Sequence, residues 1–286
     1  MKSEHPLIEP SMHRFADLPE GHDNPLDYAV SQRDRSTLGM VKEAVKHRQT
    51  LLAYQPVLYG NSTDKIAFHE GLIRVLDPTG RVIPAREFMT VIQDTQLGRE
   101  IDVLALRAGL IALREHADLR LSINMSARSI GYKPWTTMLT HWLDRDVTIG
   151  ERLILEISEQ SAMQMPELVA SFMEQLQSKK ICFALDNFGA GYTAIRYFKD
   201  MYFDILKIDG QFVRDLVNNG DNRAIISTML AIAHNFNMIT VAEQVENRED
   251  AETLSALGVD CQQGYYYAAP TTCPEWADEA GYRKSN

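Results

Sequence analysis

The feature that most constrains the fold of this chain is a regular alternation of short strand-like segments with longer amphipathic segments. RLILEIS (152–158) has the length and apolar content of a strand, whereas NRAIISTMLAIAHNF (222–236) has the period of a helix. Strands that alternate with helices of this length form βαβ units and a parallel sheet. The predicted strands are 51–59, 66–75, 120–126, 152–158, 180–188, 203–209, 238–245 and one that begins with VDCQQGYYY at residue 259.

Eight such strands predict an α/β fold, a (β/α)8 TIM-type barrel with an antiparallel first strand. A segment of about 240 residues suits such a barrel in size. The turn residues GNSTD (60–64) predict a hairpin between the first two strands, which makes the first strand antiparallel to the second. Helices are expected from Pro84 through AREFMTVIQDTQ and over TAIRYFKDM (193–201). The alternative is an open doubly wound sheet, but the G-x-G-x-x-G turn expected after its first strand is missing.

The predicted barrel spans residues 38–276, between an N-terminal tail or linker (1–37) and a C-terminal tail (277–286). The N-terminal stretch is rich in Pro and charged residues and has no clear period, which is typical of a disordered extension. It also lacks the apolar core of a signal peptide, and no apolar run in the chain is long enough to span a membrane. We therefore expect a cytoplasmic protein without a membrane segment.

The charge and cysteine content exclude several classes of function. Lys and Arg number 29 and Asp and Glu number 39, which gives a formal net charge of −10. A surface this acidic argues against binding a nucleic-acid polymer, because such binding neutralises many phosphates. A small anionic ligand remains possible where metal ions or local basic residues supply positive charge. The three cysteines, Cys182, Cys261 and Cys273, are too widely spaced for a zinc or redox pair.

Polar residues interrupt the apolar strands at the positions where a barrel places its active site. Catalytic residues of such barrels stand at the carboxyl ends of the strands. An isolated carboxylate in an apolar strand costs several kcal/mol unless it is paired or bound to a metal. Any one of these residues could equally be a buried hydrogen-bond anchor or a helix cap, but their recurrence on five strands favours a site. The residues are His69, Glu70, Asn124, Glu156, Glu159, Asp186, Asn187, Lys207, Asp209, Glu243, Glu246 and Gln263.

The types of residue in this set indicate a site for divalent cations. Carboxylate and amide oxygens select Mg²⁺, Mn²⁺ or Ca²⁺ over Zn²⁺. Clustered carboxylates repel one another unless cations neutralise them. One or two such cations beside Lys207 are typical of phosphoester hydrolysis. Arg74, further along the strand of Glu70, could contact a phosphate, and its spacing fits a solvated strand-end cation equally well.

Seven motifs in this order resemble the EAL domain family, bacterial phosphodiesterases of cyclic di-GMP. The resemblance runs from about Leu51 to Pro270 and so covers nearly all of the predicted barrel. In HEGLIR, Glu-Gly-Leu stands where the family has the Glu-Ala-Leu that names it. The motifs are AYQPVLY (53–59), HEGLIR (69–74), SINMSAR (122–128), LEISE (155–159), ALDNFGAGYTAIRYFKDMYFDILKID (184–209), VAEQVEN (241–247) and QQGYYYAAP (262–270).

The resemblance implies hydrolysis of cyclic di-GMP to linear pGpG with Mg²⁺ or Mn²⁺, by a homodimer. Lys207, Glu243 and Glu70 would be catalytic, with Lys207 holding or polarising the attacking water. Glu159 and Glu246 would stabilise loops, Glu159 acting on loop 188–193. The implied metal ligands are Glu70, Asn124, Glu156, Asp186, Asn187 and Glu243. The implied contacts to cyclic di-GMP are Gln55, Leu72, Arg74 and Gln263.

Departures from the family pattern leave two functions open. Asn187 stands where active members carry a second Asp, so the second metal should bind more weakly. Gln244 replaces a Gly, Ala269 stands where a Gly is usual, and Gly71 replaces an Ala, a change we expect to be tolerated. One hypothesis is an active phosphodiesterase, and the other is an impaired domain that binds cyclic di-GMP as a sensor. The apolar residues within 192–202 fit either a homodimer seam or packing onto the barrel.

Overall fold

The computed structural model describes residues 25–60, 62–191 and 195–279 and contains all eight predicted strands. A ninth short strand, β3, follows the second one. The strands are β1 (Thr50–Tyr59), β2 (Ile66–Leu76), β3 (Val82–Pro84), β4 (Leu121–Asn124), β5 (Leu153–Ser158), β6 (Cys182–Phe188), β7 (Ile205–Ile208), β8 (Ile239–Ala242) and β9 (Cys261–Gln262). The helices are α1 (Pro25–Lys46), α2 (Met89–Ile92), α3 (Gln96–Glu115), α4 (Lys133–Leu143), α5 (Glu159–Gln164), α6 (Pro166–Gln177), α7 (Gly220–Asn235), α8 (Arg248–Leu257) and α9 (Glu275–Glu279).

Eight of the strands close into a barrel. The sheet runs in the order β1-β9-β8-β7-β6-β5-β4-β2-β3, and β1 also pairs with β2, so that the ends of the sheet meet. Strand β1 is antiparallel to both of its neighbours, whereas the strands from β4 to β9 pair in parallel. The (β/α)8 barrel with an antiparallel first strand is therefore confirmed, and the open doubly wound alternative is wrong.

The helix predicted from Pro84 onward is wrong, because this segment first continues the sheet. Val82 and Pro84 pair with Leu76 and Arg74 of β2. Proline can sit at such an edge position because its missing N–H is not needed for the ladder. A short 3-10 helix (Ala85–Glu87) and the four-residue α2 then lead into α3. The excursion places residues 84–86 beside the end of β2.

The helix predicted over 193–201 is a 3-10 helix at Ile195–Lys199, and residues 193 and 194 lie outside the described residues. Phe198 of this helix and Met201, which follows it, are both buried. Ile195 and Tyr202 are exposed, at 46% and 68%. The apolar stripe therefore divides between packing onto the barrel and facing outward, so it leaves the homodimer prediction untested.

Helix α1 begins within the predicted N-terminal tail and crosses the boundary predicted at residue 38. Its Val41 and Ala44 are buried in the main hydrophobic core. Residues 1–24 and 280–286, which include most of both predicted tails, lie outside the described residues. Within the described ranges, no helix is both long and apolar enough to cross a membrane.

An apolar plug fills the amino-terminal part of the barrel interior. Residues on alternate positions of a strand share one face, and the inward faces meet in a small cluster separate from the main core between barrel and helices. Burial of these side chains leaves room for polar groups only above them, towards the carboxyl ends of the strands. The plug consists of Val57, Phe68, Ile154, Ala184, Ile205, Val241 and Cys261.

Candidate active site

A layer of polar side chains lies directly above the plug, one inward-facing position further along each strand. Ile154 is followed two residues later by Glu156, and Ile205 by Lys207. The two-residue period of a strand points each pair into the same interior. The remaining pairs are Phe68 with Glu70, Ala184 with Asp186, Val241 with Glu243, Cys261 with Gln263 and, on antiparallel β1, Val57 with Gln55.

The ammonium group of Lys207 lies at the centre of this layer. Its Nζ is 2.8 Å from Glu156 Oε2 and 2.8 Å from Glu243 Oε1. It is also 3.1 Å from Glu70 Oε2 and 3.4 Å from Asp186 Oδ1. Lys207 and Glu156 are fully buried. One cation thus faces four carboxylates, which leaves the centre with a net negative charge when all are ionised.

Hydrogen bonds fix the carboxylate of Glu70 from three sides. Asn124 Nδ2 donates to its Oε1 at 2.7 Å, and Gln263 Nε2 donates to its Oε2 at 2.7 Å. Gln263 also donates to Gln55 Oε1, and Gln55 in turn donates to the backbone oxygen of Ala268. Because the Asn124 amide nitrogen faces Glu70, its amide oxygen is available to another partner.

The carboxylates differ in how readily they ionise. Burial raises the pKa of Glu70, but the charge of Lys207 and the hydrogen bonds from Gln263 and Asn124 outweigh it, so the pKa is lowered. Burial and the negative charge of Glu70 raise the pKa of Glu156 to about 8. Burial likewise raises the pKa of Asp186, and that of Glu243 well above its usual range. Burial therefore opposes the ionisation of Glu156, Asp186 and Glu243, and a further cation would favour it.

The surroundings of Lys207 raise its pKa and so keep its side chain positively charged. Burial alone lowers the pKa of an ammonium group, but the four carboxylates, Glu156 foremost, outweigh burial and raise the pKa well above its usual value. Lys207 is therefore a hydrogen-bond donor at neutral pH and cannot serve as a base.

A cavity of about 680 Å³ opens above this centre and reaches the protein surface. Glu70, Asn124, Asp186 and Glu243 form its floor. Four of the other predicted site residues, Gln55, Leu72, Arg74 and Gln263, line it together with Asn187 and Glu246. The structure thus brings five of the six proposed metal ligands and all the proposed ligand contacts to one cavity, and the sixth, Glu156, is fully buried beside Lys207.

A match to a family model decides the family of the chain. Residues 39–270 match the model of the EAL domain. The chain belongs to the EAL domain family. It is 28% identical over 243 residues to the cyclic di-GMP phosphodiesterase PdeB of Shewanella oneidensis, which covers 84% of this chain and 28% of PdeB. It is 28% identical over 237 residues to the cyclic di-GMP phosphodiesterase PdeF of Escherichia coli, which covers 82% of this chain and 31% of PdeF.

A solved structure of an EAL-type enzyme has the same fold. The PaMucR phosphodiesterase in complex with cyclic di-GMP superimposes with a TM-score of 0.72 at 28% identity, covering 82% of this chain and 97% of that one. The chain spans less than a third of the length of PdeB or PdeF, so the likeness to them concerns one domain of longer proteins. The predicted family is confirmed.

Asn187 of this EAL domain lies beside the predicted metal ligand Asp186, at the position where the resemblance led us to expect an Asp. Its Nδ2 donates to Asp186 Oδ2 at 2.5 Å. Its backbone is left-handed, with φ of 55°, a conformation that Asn and Asp tolerate better than most residues. Asn187 therefore fits the local fold and replaces a second negative charge with a hydrogen-bond donor.

The oxygen atoms at the centre of this EAL domain are of the type that hard divalent cations prefer as ligands. Four carboxylates surround the centre and the amides of Asn124 and Asn187 lie beside them. Glu156 Oε1 is buried without a hydrogen-bond donor among the described residues. No three acidic, histidine or cysteine side chains of the described ranges already form a metal-binding group, because the carboxylates are drawn in around Lys207. The residues that could hold a divalent cation are Glu70, Asn124, Glu156, Asp186, Asn187 and Glu243.

Glu159 follows β5, the strand that carries the predicted metal ligand Glu156. Its buried carboxylate accepts a hydrogen bond from the backbone N–H of Gly189, at 3.1 Å from Oε2. Gly189 has φ of 91°, and a methyl group there would overlap Met229 and Phe212, so this turn requires glycine. The contact is the one that a loop-stabilising role needs. Glu246 lines the cavity, is exposed and hydrogen-bonds to no other described residue, and its role stays a prediction.

The other departures from the family pattern have local explanations. Gly71 lies where a methyl group would come within 2.7 Å of Ile123 Cδ1, so the larger Ile123 fills the space of the usual Ala. Gln244 adopts a left-handed backbone with φ of 55° and packs its side chain on Gly210. The structure gives no account of Ala269.

Two residues that line the cavity, and a third on the outer face of β2, were missed in the sequence. Arg86 lines the wall because β3 brings it there, and the expectation of a helix from Pro84 hid this placement. Asp102 of α3 is a buried carboxylate that binds the β4–α4 loop through Ser126 and Ser129. Trp276 of α9 donates a hydrogen bond to His69 Nε2 at 3.2 Å on the outer face of β2. Only the charge of Asp102 within an apolar helix face gave a signal in the sequence.

Proposed function

We propose that this EAL domain hydrolyses cyclic di-GMP to linear pGpG with the help of Mg²⁺ or Mn²⁺. The observation that carries the proposal is the Lys207 ammonium held among four carboxylates at the floor of an open cavity. A centre of this composition serves phosphoester hydrolysis, because cations and an ammonium group together stabilise a phosphate that gains charge. The names of PdeB and PdeF as cyclic di-GMP phosphodiesterases support the choice of substrate.

Divalent cations held by the carboxylates, Asn124 and Asn187 would lower the pKa of a water molecule and clamp the phosphate oxygens. Lys207 donates a hydrogen bond to the attacking water and opposes the negative charge that develops on the phosphate. Gln263 and Asn124 hold Glu70 in one orientation. The water loses a proton to solvent as its oxygen bonds to phosphorus and the bond to the ribose 3′ oxygen breaks, and the 3′ oxygen takes up a proton from solvent to give pGpG.

Identification of the reaction product tests this proposal. The purified protein is incubated with cyclic di-GMP and Mg²⁺, Mn²⁺ or EDTA, and the nucleotides are separated by chromatography. We expect pGpG in both metal buffers and none in EDTA. The Glu156→Gln variant serves as the matched control, because it keeps the shape of the site and replaces one predicted cation ligand with an amide. Unchanged cyclic di-GMP in all metal buffers would reject the enzyme.

A second candidate function is a sensor that binds cyclic di-GMP without cleaving it. Asn187 favours this reading, because its amide N–H binds the Asp186 oxygen that a second cation would need. A sensor would bind cyclic di-GMP equally well in Mg²⁺ and in EDTA, as measured by calorimetry, and would leave it intact. Turnover under the same conditions would eliminate this candidate.

We further propose that the chain acts in the cytoplasm as a homodimer. The exposed Ile195 and Tyr202 beside the loop after β6 support a contact between two copies. Light scattering of the purified protein tests the assembly, and Tyr202→Ser is expected to shift it towards the monomer. A monomeric wild type at concentrations that support activity would contradict the proposal.

A further inference from the structure

Two arginines face the cavity from one wall, next to a centre that is otherwise acidic. Arg74 lies at an inward position of β2, four residues beyond Glu70, and it lines the cavity. Its backbone partner on β3 is Pro84, which places Arg86 two residues further along the same wall. The two guanidinium groups are close enough for the charge of Arg86 to disfavour that of Arg74.

Neither arginine forms an ion pair with a described carboxylate, although the negative charge of Glu70 acts on Arg74 from a distance. Arg74 is half-buried and donates a hydrogen bond to the backbone oxygen of Ile73 at 3.0 Å. Among residues 25–60, 62–191 and 195–279, no carboxylate forms an ion pair with Arg74 or with Arg86. By contrast, Arg81, in the hairpin between β2 and β3, forms an ion pair with Asp77, with 3.3 Å between Nε and Oδ2. Like charges that face a shared space without counter-ions are arranged to receive an anion.

We propose that Arg86 joins Arg74 in binding the phosphate of cyclic di-GMP that is not cleaved. The inference rests on the proposed function, because the second phosphate of the ring must lie away from the carboxylate centre. Two guanidinium groups match a phosphodiester better than one, since each offers planar N–H pairs to the oxygens. Arg86 would therefore strengthen substrate binding and leave the chemical step unaffected.

Equilibrium binding of cyclic di-GMP in EDTA tests this role apart from turnover. We expect Arg86→Ala to raise the dissociation constant about tenfold, the loss of one charge-assisted contact. The dissociation constant of Arg86→Lys should lie between those of the wild type and Arg86→Ala, because a lysine keeps the charge and loses the planar pair of donors. Arg81→Ala is the matched control, since it removes one positive charge from the same hairpin outside the cavity, and it should leave binding unchanged.

Two further measurements separate a phosphate contact from other effects. The loss in Arg86→Ala should shrink at high salt, because screening weakens a charge pair more than a contact to a base edge. In metal buffer the variant should show a raised KM and a kcat within about twofold of the wild type, as expected for lost uniform binding. Thermal unfolding confirms that each variant is folded.

The outcomes distinguish this inference from the proposed function. Wild-type protein that fails to bind cyclic di-GMP would reject the proposed function, and this inference would fall with it. Binding of cyclic di-GMP with equal affinity by the wild type and by Arg86→Ala would overturn this inference and leave the proposed function standing. An equal loss in Arg81→Ala and Arg86→Ala would also overturn it, because the effect would then come from net charge.

Discussion

The side-chain amide of Asn187 donates a hydrogen bond to the carboxylate of Asp186, with 2.5 Å between Nδ2 and Oδ2. An aspartate at this position would instead place two adjacent carboxylates beside Glu243 and Glu70, with Lys207 as the only cation within ion-pair distance in the described residues. Asn187 therefore stabilises the cation-free protein. It also leaves the site with one negative charge fewer to attract a cation. Under the proposed function, stability without metal and affinity for metal would be opposed at this residue.

Replacement of Asn187 by Asp should destabilise the protein in EDTA and increase its stabilisation by Mg²⁺. The lost hydrogen bond to a charged group should lower the free energy of unfolding by roughly 2 kcal/mol, as measured by urea unfolding. Asn218→Asp is the matched control, because Asn218 donates a similar bond to Asp215 at an exposed position. Equal losses in the free energy of unfolding from the two substitutions would contradict the prediction. They would show that the carboxylates around Lys207 repel an added negative charge no more than Asp215 does.

Replacement of Lys207 by Met should leave four carboxylates without their central cation. We expect the free energy of unfolding in EDTA to fall by roughly 3–5 kcal/mol, the usual cost of breaking a buried ion pair on one side. Mg²⁺ should recover part of this loss, so the metal-induced rise in melting temperature should exceed that of the wild type. Lys46→Met, at an exposed pair with Glu43, should change little. A Mg²⁺ response equal to that of the wild type would contradict a cation site around Lys207.

The sequence predicted the barrel and its polar layer because both depend on local period. Glu156 and Lys207 each follow an apolar residue by two positions, and this spacing alone places them on one face of a strand. The order of strands likewise follows from the alternation with helices. The amide of Asn187 could be recognised only through the family resemblance, because Asn after Asp is not unusual in itself.

The parts of the site that were missed depend on contacts between distant segments. Pro84 at the start of an amphipathic stretch is typical of a helix, and only its pairing with Arg74 of β2 makes it a strand residue. The contact of Trp276 with His69 joins residues 207 positions apart, and no local pattern marks it. The left-handed backbone of Gln244 gave no signal either, because Gln rarely adopts that conformation.

The buried carboxylate of Asp102 should make stability depend on pH between about 4 and 6. Burial raises its pKa from 3.8 to about 6, although Ser129 and the Ser126 N–H oppose the shift by hydrogen bonds. The folded protein binds more protons than the unfolded chain in this window, so its stability falls as pH rises through it. The shift corresponds to roughly 2–3 kcal/mol.

Comparison with Asp102→Asn isolates this effect from other titrating groups. The Asn oxygen can accept both hydrogen bonds, and the side chain carries no charge at any pH. The free energy of unfolding of Asp102→Asn, minus that of the wild type, should rise from pH 4 to pH 6 and then level off. A difference that is constant across this range would show that Asp102 keeps an ordinary pKa.

The contact between Gln244 and Gly210 predicts a coupling between two substitutions. A methyl group at Gly210 would lie 2.6 Å from Gln244 Cβ, so Gly210→Ala should cost roughly 1–3 kcal/mol in the wild type. Gln244→Gly removes that clash and the left-handed strain, so Gly210→Ala should then be nearly neutral. A double-mutant cycle by urea unfolding measures the difference. Additive effects would mean that the two residues do not meet.

The most direct test of the central claim is the initial rate of cyclic di-GMP hydrolysis as a function of Mg²⁺ concentration, in the wild type and in Asn187→Asp. The claim is that the carboxylates around Lys207 form a cation-dependent hydrolytic centre that Asn187 weakens. It predicts measurable pGpG from both proteins, with half-saturation of the wild type at a Mg²⁺ concentration about tenfold higher, as expected for roughly 1.4 kcal/mol of lost cation binding. Absence of product from both proteins at saturating Mg²⁺ and Mn²⁺, with cyclic di-GMP still bound, would contradict it.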